Sequence, residues 1–230
     1  MAKNLVIELV ALFQGQKLEV VEEAMKEATK QVWPELVTGS LSELFDMQME
    51  TLKARGCPKS IIDVLTAKKS EVIANATEIE TADGHIPFVP VVPRTEVDLG
   101  DLMKMVRNRD REGHNYLDQS DVSNVVDVPK GPYFMFDVED GKDMLGRSPE
   151  KAEVLIKKQK RTCLAADEGI ALCVHTNVLS EHYVNCTGSR YARAHDVPVV
   201  YLHDDGPELD WCSVGYSDDE GGSASCRSRA

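Results

Sequence analysis

Apolar residues recur at three- and four-residue intervals through the first eighty positions, the spacing of helices that bury one face. "LVIELVALF" begins one such pattern. Leu18, Val21, Met25, Ala28 and Val32 mark a second, which Pro34 stops just after Trp33. A third helix follows Ser40, which stands at the N-cap with Glu43 at the capping-box position. Its face runs Leu41, Leu44, Phe45, Gln48, Met49 and Leu52, and Gly56 is placed to end it. "PKSIIDVLTAKK", opening on Pro58, makes a fourth. The period then changes. Between Gly84 and Pro93 apolar and β-branched residues run on, and three prolines confine this extended segment to a sheet edge. The change places a boundary near residue 80, with a helical region over 1–80 and an α+β domain over 81–230.

Beyond that boundary helix and strand patterns mix. "LGDLMKMVRN" reads as helix and "PYFMFDVEDG" as strand. "SPEKAEVLIKKQ" reads as helix, with Ser148 at the N-cap and Pro149 at the first helical position, where its missing N–H costs nothing. "LAADEGIALCVHT" is helical despite Gly169, and "YVNCT" is a strand. "VPVVYLHDDGPELDWCSV" is a hairpin turning at residues 204–207, after which "DDEGGSASCRSRA" reads as a loose, small-residue segment. Helices first and strands mixed with helices later predict an α+β fold whose sheet is mixed and largely antiparallel.

Charge and composition narrow the classes of function. A hydrophobic share of 42% over 230 residues supports a real core. With 39 acidic against 26 basic side chains the net charge is -13, which repels phosphate backbones and argues against nucleic-acid binding. The one basic cluster, "KKQKR" at 157–161, reads as the solvated last turn of a helix. No secretion signal or run of about eighteen apolar residues is visible, so a cytoplasmic chain without a membrane role is expected. The six cysteines form no C-x-x-C pair and read as free thiols.

Several segments occur in a familiar order: "FDMQMETLKARGCP" (45–58), "YFMFDVEDG", "RSPEKA", "EGIALCVH", "TGSRY", "VPVVYLHDDGPELDWC" and "GSASC". Together they resemble an uncharacterised bacterial family, domain-of-unknown-function family 5701, from about residue 41 to the C-terminus. The resemblance implies where the fold and its motifs lie, and it implies no activity. The first forty residues fall outside it as a helical extension. Where this chain has Cys173 and Cys186 the family pattern has plain apolar residues, which implies core roles for both thiols.

Candidate chemistry concentrates around "HYVNCTGSRY", residues 182–191. A zinc site would draw on Cys173, His175, His182 and Cys186. Positions 173 and 175 on one helix diverge by about 200°, however, so neither metal nor cofactor is expected. A nucleophile could be Cys226, whose thiol Arg227 and Arg229 would acidify, or Ser189 or Ser225 with His175 or His182 as base. Glu168 reads by default as a solvated helix position. Its functional alternative is a carboxylate that pairs with Arg190 or serves as a base. The catalytic candidates are therefore Cys226, His175 and Glu168. Binding has the broadest support, because "TGSR" (187–190) and "GSASCRSR" (222–229) both join glycine, serine and arginine. Such segments can expose N–H groups and a guanidinium fork to an anion. A small anionic or polar ligand would then meet Ser189, Arg190, Ser223, Ser225 and Arg227, with Trp211 as a core residue or a pocket wall. The functional classes left open are ligand binding, a Cys or Ser enzyme, and a module whose N-terminal helices dock a partner protein.

Overall fold

Helical periodicity is realised as expected in the computed structural model, which describes residues 40–192, 195–204 and 206–230. The two patterns before Pro34 lie outside the described residues. Helix α1 (Leu41–Ala54) buries Leu44, Phe45, Gln48, Met49 and Leu52. Its one buried polar residue is anchored, with Gln48 Nε2 donating to the Phe88 carbonyl at 2.7 Å. The fourth pattern forms α2 (Lys59–Ala67), and past Lys68 a further helix follows it, α3 (Lys69–Glu78). All strands of the described residues lie beyond these helices.

Strand β1 (Ile86–Val91) begins the sheet-rich part. It is followed by α4 (Leu99–Met105), β2 (Arg107–Asn108), β3 (Arg111–Glu112), β4 (His114–Asn115), β5 (Val122–Asn124) and β6 (Tyr133–Val138). Then come α5 (Pro149–Lys158), β7 (Thr162–Cys163), α6 (Ala166–His175), β8 (Tyr183–Asn185) and β9 (Ser189–Tyr191). The hairpin strands β10 (Asp196–His203) and β11 (Gly206–Ser213) precede β12 (Gly221–Ser223), β13 (Ser225–Cys226) and β14 (Ser228–Arg229). This is an α+β fold with two main sheets. The first, in the order β1-β6-β14, is antiparallel throughout, and β1 with Pro87 and Pro90 occupies an edge as its prolines require. The second runs β12-β8-β10-β11-β4, with parallel pairing at β12–β8 and β11–β4.

Three expectations need correction. The "LGDLMKMVRN" helix ends at Met105, and the following residues turn back as the β2–β3 hairpin. Its hinge is Arg109, at φ 54°. Ser148 holds the N-cap position of α5 but makes no side-chain cap bond. The segment after the hairpin is no loose tail: residues 221–226 are all buried, 221–223 pairing with β8 and 225–226 with β7, and residues 228–229 pair with β6. Small residues fit there because they lie between packed backbones.

One apolar cluster joins α1, β1, β6, α6, β8 and β10. Phe45, Phe88 and Phe134 meet at centroid separations of 5.5–6.2 Å, locking α1 to both strands. The helices before residue 80 thus share their core with the sheet, and Leu41–Ala230 forms one compact unit. Helix α6 is buried along its whole length and touches β1 and β10. No helix among the described residues is long and apolar enough to cross a membrane.

Candidate functional site

Helix α6 starts with two adjacent acids, Asp167 and Glu168, in an otherwise apolar sequence. A carboxylate in a first turn suits the helix dipole, but both are buried, so each requires a dedicated partner. Glu168 is fully buried rather than solvated. Its Oε1 accepts from Tyr133 Oη at 2.8 Å and from Arg229 Nε at 2.5 Å. Its Oε2 accepts from the Ala165 amide and from Arg229 Nη2, both at 2.7 Å. With four donors on it, Glu168 has no lone pair free for a reacting proton. Its arginine is Arg229, not Arg190. Burial, together with the Glu168 carboxylate, pushes the Tyr133 hydroxyl well up, so it stays a donor.

Asp167 is held from the other side. Its Oδ2 accepts the Arg94 amide at 2.8 Å and its Oδ1 accepts Arg94 Nη1 at 2.6 Å. Arg94 Nη1 also reaches Asn124 Oδ1 at 3.1 Å. Ser189 joins this network: its Oγ donates to Asn124 Oδ1 at 2.8 Å and accepts the Ala166 amide at 2.9 Å. Two arginines, two carboxylates, an asparagine and a serine therefore form a balanced polar cluster around the start of α6.

An open cavity of about 410 Å³ adjoins the cluster, lined by Asn124, Val125, Val126, Asp127, Thr162 and Arg229. Arg229 also donates through Nη2 to the Cys163 carbonyl at 2.9 Å. Its guanidinium is thus fixed along the Nε–Nη2 edge while the residue borders the cavity.

The remaining candidates are dispersed. Arg190 turns to α5, where Nη2 meets Glu153 Oε2 at 2.8 Å and Nη1 donates to the carbonyls of Thr187 and Ser189. The Thr162–Leu164 segment runs between the two Gly-Ser-Arg segments, accepting the Gly188 amide at Leu164 O and donating from Leu164 N to Ala224 O. Gly188 is needed for this backbone approach, since a Cβ there would lie 2.7 Å from both the Cys163 and Leu164 carbonyl oxygens. Its close neighbour is chain, not ligand. Ser225 Oγ accepts Arg161 Nε at 2.8 Å. Arg161, from the "KKQKR" cluster, faces inward and also pairs with Asp137 at 2.6 Å. Ser223 is fully buried, and its hydroxyl has no partner among the described residues. Among the described residues the Arg227 side chain reaches the Glu80 carbonyl, at 3.4 Å. Trp211 is not core: it is 49% exposed and borders a second cavity.

The candidate thiols and histidines are all buried, Cys173 and Cys186 in the core as expected. Cys226 is fully buried, and burial pushes its thiol up to about 12. Arg229 beside it is already matched by Glu168, so the expected acidification fails. His175 is buried, its two ring nitrogens have no partner among the described residues, and burial lowers it to about 3. Cys173 and His175 both lie on α6, and Cys186 points inward, its thiol over Gly169. Among the described residues no group of three or more His, Cys, Asp or Glu stands together to hold a metal.

Sequence reading missed Arg94, Asn124, Arg161 and the role of Arg229. The available signal was the Asp167-Glu168 pair: two acids in an apolar helix require two cations from elsewhere in the chain. Among known proteins, no curated protein and no solved structure matches the chain. A family model described as "Family of unknown function (DUF5701)" matches residues 40–230, and over that span the chain belongs to this family.

Proposed function

We propose that the protein binds a small polar ligand carrying a carboxylate or phosphate group in the cavity beside Arg229. The observation that carries this reading is a guanidinium held rigidly by Glu168 and the Cys163 carbonyl while it lines an open, mostly polar space. Glu168 and the Cys163 carbonyl occupy Nε and Nη2, so Nη1 of the fixed plane is the end left to donate to a carboxylate or phosphate, with better aim than a mobile ammonium has. Asn124 and Thr162 add polar groups to the lining. Glu168 already balances the charge of Arg229, so recognition rests on hydrogen-bond geometry more than on net charge. Asp127, also in the lining, repels a simple anion. The proposal keeps Ser189 as the support of Asn124 and replaces Arg190 and Arg227 by Arg229.

Calorimetric titration with inorganic phosphate and with succinate tests the reading. Binding is expected for the native chain, several-fold tighter in Asp127→Asn and about tenfold weaker in Arg229→Lys. Failure of both anions to bind even Asp127→Asn, or affinity unchanged in a folded Arg229→Lys, would overturn the assignment.

A further inference from the structure

The second cavity, of about 190 Å³, lies on the face of the β8–β10–β11 sheet turned away from the core. The strand register builds it. Val199 stands opposite Asn185 on β8 and Asp210 on β11, and Tyr201 stands opposite Glu208. Alternate residues of a strand share a face, so Tyr183, Asn185, Val199, Tyr201, Asp210 and Cys212 come together. Between them Val184, Val200 and Leu209 are buried in the core on the reverse side. Gly221 lines the cavity without adding a side chain, and Tyr216 and Asp218 from the following loop supply another wall.

The chemistry of these walls is one-sided. Tyr183 and Tyr201 meet edge to face at 5.7 Å, forming an aromatic corner. Tyr216, at the rim, is 57% exposed. Asp210 and Asp218 are the charged residues of the lining, and no Lys, Arg or His lies among its ten residues. Further acids stand behind the rings: Tyr201 Oη donates to Glu208 at 2.9 Å. A hydrogen bond to Glu220 raises Tyr183, while burial and the bond to Glu208 raise Tyr201. Phenols donating to carboxylates keep their ring faces electron-rich.

We propose that this cavity binds a small organic cation, with an alkylated ammonium group packed on the tyrosine faces and balanced by Asp210 and Asp218. Aromatic faces attract such cations through their quadrupole, and more strongly where water is excluded. An anion would meet two carboxylates and no cation. A bare metal ion would need several converging donors, and the described residues hold no such group. This site is separate in lining and in charge preference from the one beside Arg229.

The test is titration with choline against its uncharged isostere 3,3-dimethyl-1-butanol at constant ionic strength, followed by calorimetry. Choline is expected to bind saturably, and the isostere about tenfold more weakly. Tyr201→Ala and Tyr216→Ala should each weaken choline about tenfold, whereas Tyr201→Phe, which keeps the ring, should stay within about threefold. Asp210→Asn should weaken choline and leave the isostere unchanged. Tyr216 is exposed, so its variant reports even if Tyr201→Ala unfolds. Equal affinity for choline and the isostere, no binding of choline, or full binding by Tyr216→Ala would each overturn the proposal.

Discussion

Gly169 sits in the buried helix α6 where an added Cβ would lie 2.2 Å from the Cys186 thiol. An alanine ordinarily favours a helix over glycine by about 1 kcal/mol, but here it would have to displace a packed sulfur. Gly169→Ala is expected to lower stability by about 1–3 kcal/mol, and adding Cys186→Ala should recover most of the loss. Urea unfolding of the two variants checks this, and no recovery in the double variant would place the strain elsewhere. Two histidines act on stability with opposite sign. His175 is held near 3, far below its ordinary 6.5, by burial and by Arg55. Above pH 6.5 it is neutral in both states and stability is full. Below 6.5 the unfolded chain takes a proton that the fold refuses, and about 1.4 kcal/mol is lost per pH unit. At His182 burial lowers the ring, yet Asp140 and the Tyr183 carbonyl outweigh it and raise the net value. Its contribution is full below 6.5 and fades as the pH rises through the raised value. Stability should therefore peak near pH 6.5. His175→Leu should flatten the fall between pH 6.5 and 5, measured by the midpoint of urea unfolding, and an unchanged slope would assign it to another group.

Elements with a single strong period were legible. The face of α1 was read residue by residue, because burial on one side leaves a period in the chain, while the edge position of β1 followed from its prolines and the β10–β11 hairpin from its turn residues. Elements of two or three residues left no such trace. β9 and β12 to β14 are held by partners distant in sequence, and their serines and glycines look like loop until the neighbouring backbone is known. The candidate site was hard to read for the same reason. "TGSR" and "GSASCRSR" act as packing surfaces: Gly188 lies on the Cys163–Leu164 backbone, Ser189 ties β9 to the start of α6, and Arg190 serves α5. Arg161 looked like surface charge within "KKQKR", and Arg94 gave no signal, because a lone cation carries no periodicity.

The whole molecule depends on contacts that its last described residues make with elements far earlier in the chain. β14 supplies Arg229 to Glu168 and closes the open side of β6. Arg229→Ala would leave a buried carboxylate unpaired, with a loss of about 3–5 kcal/mol expected, a large part of the usual 5–15 kcal/mol. Replacing the pair together, as Glu168→Leu with Arg229→Met, should cost less than Arg229→Ala alone. Thermal melting of both proteins decides it, and a double variant less stable than Arg229→Ala would refute the charge argument. The same strand order governs how the molecule comes into being. The ribosome adds residues from the N-terminus at roughly 5–20 per second, so Phe45, Phe88 and Phe134 emerge well before residue 228. Until then "YFMFDV" of β6 presents an unpaired edge, the kind that recruits other chains. Every nascent copy passes through that sticky interval, and the yield of native protein depends on how quickly its last strands arrive.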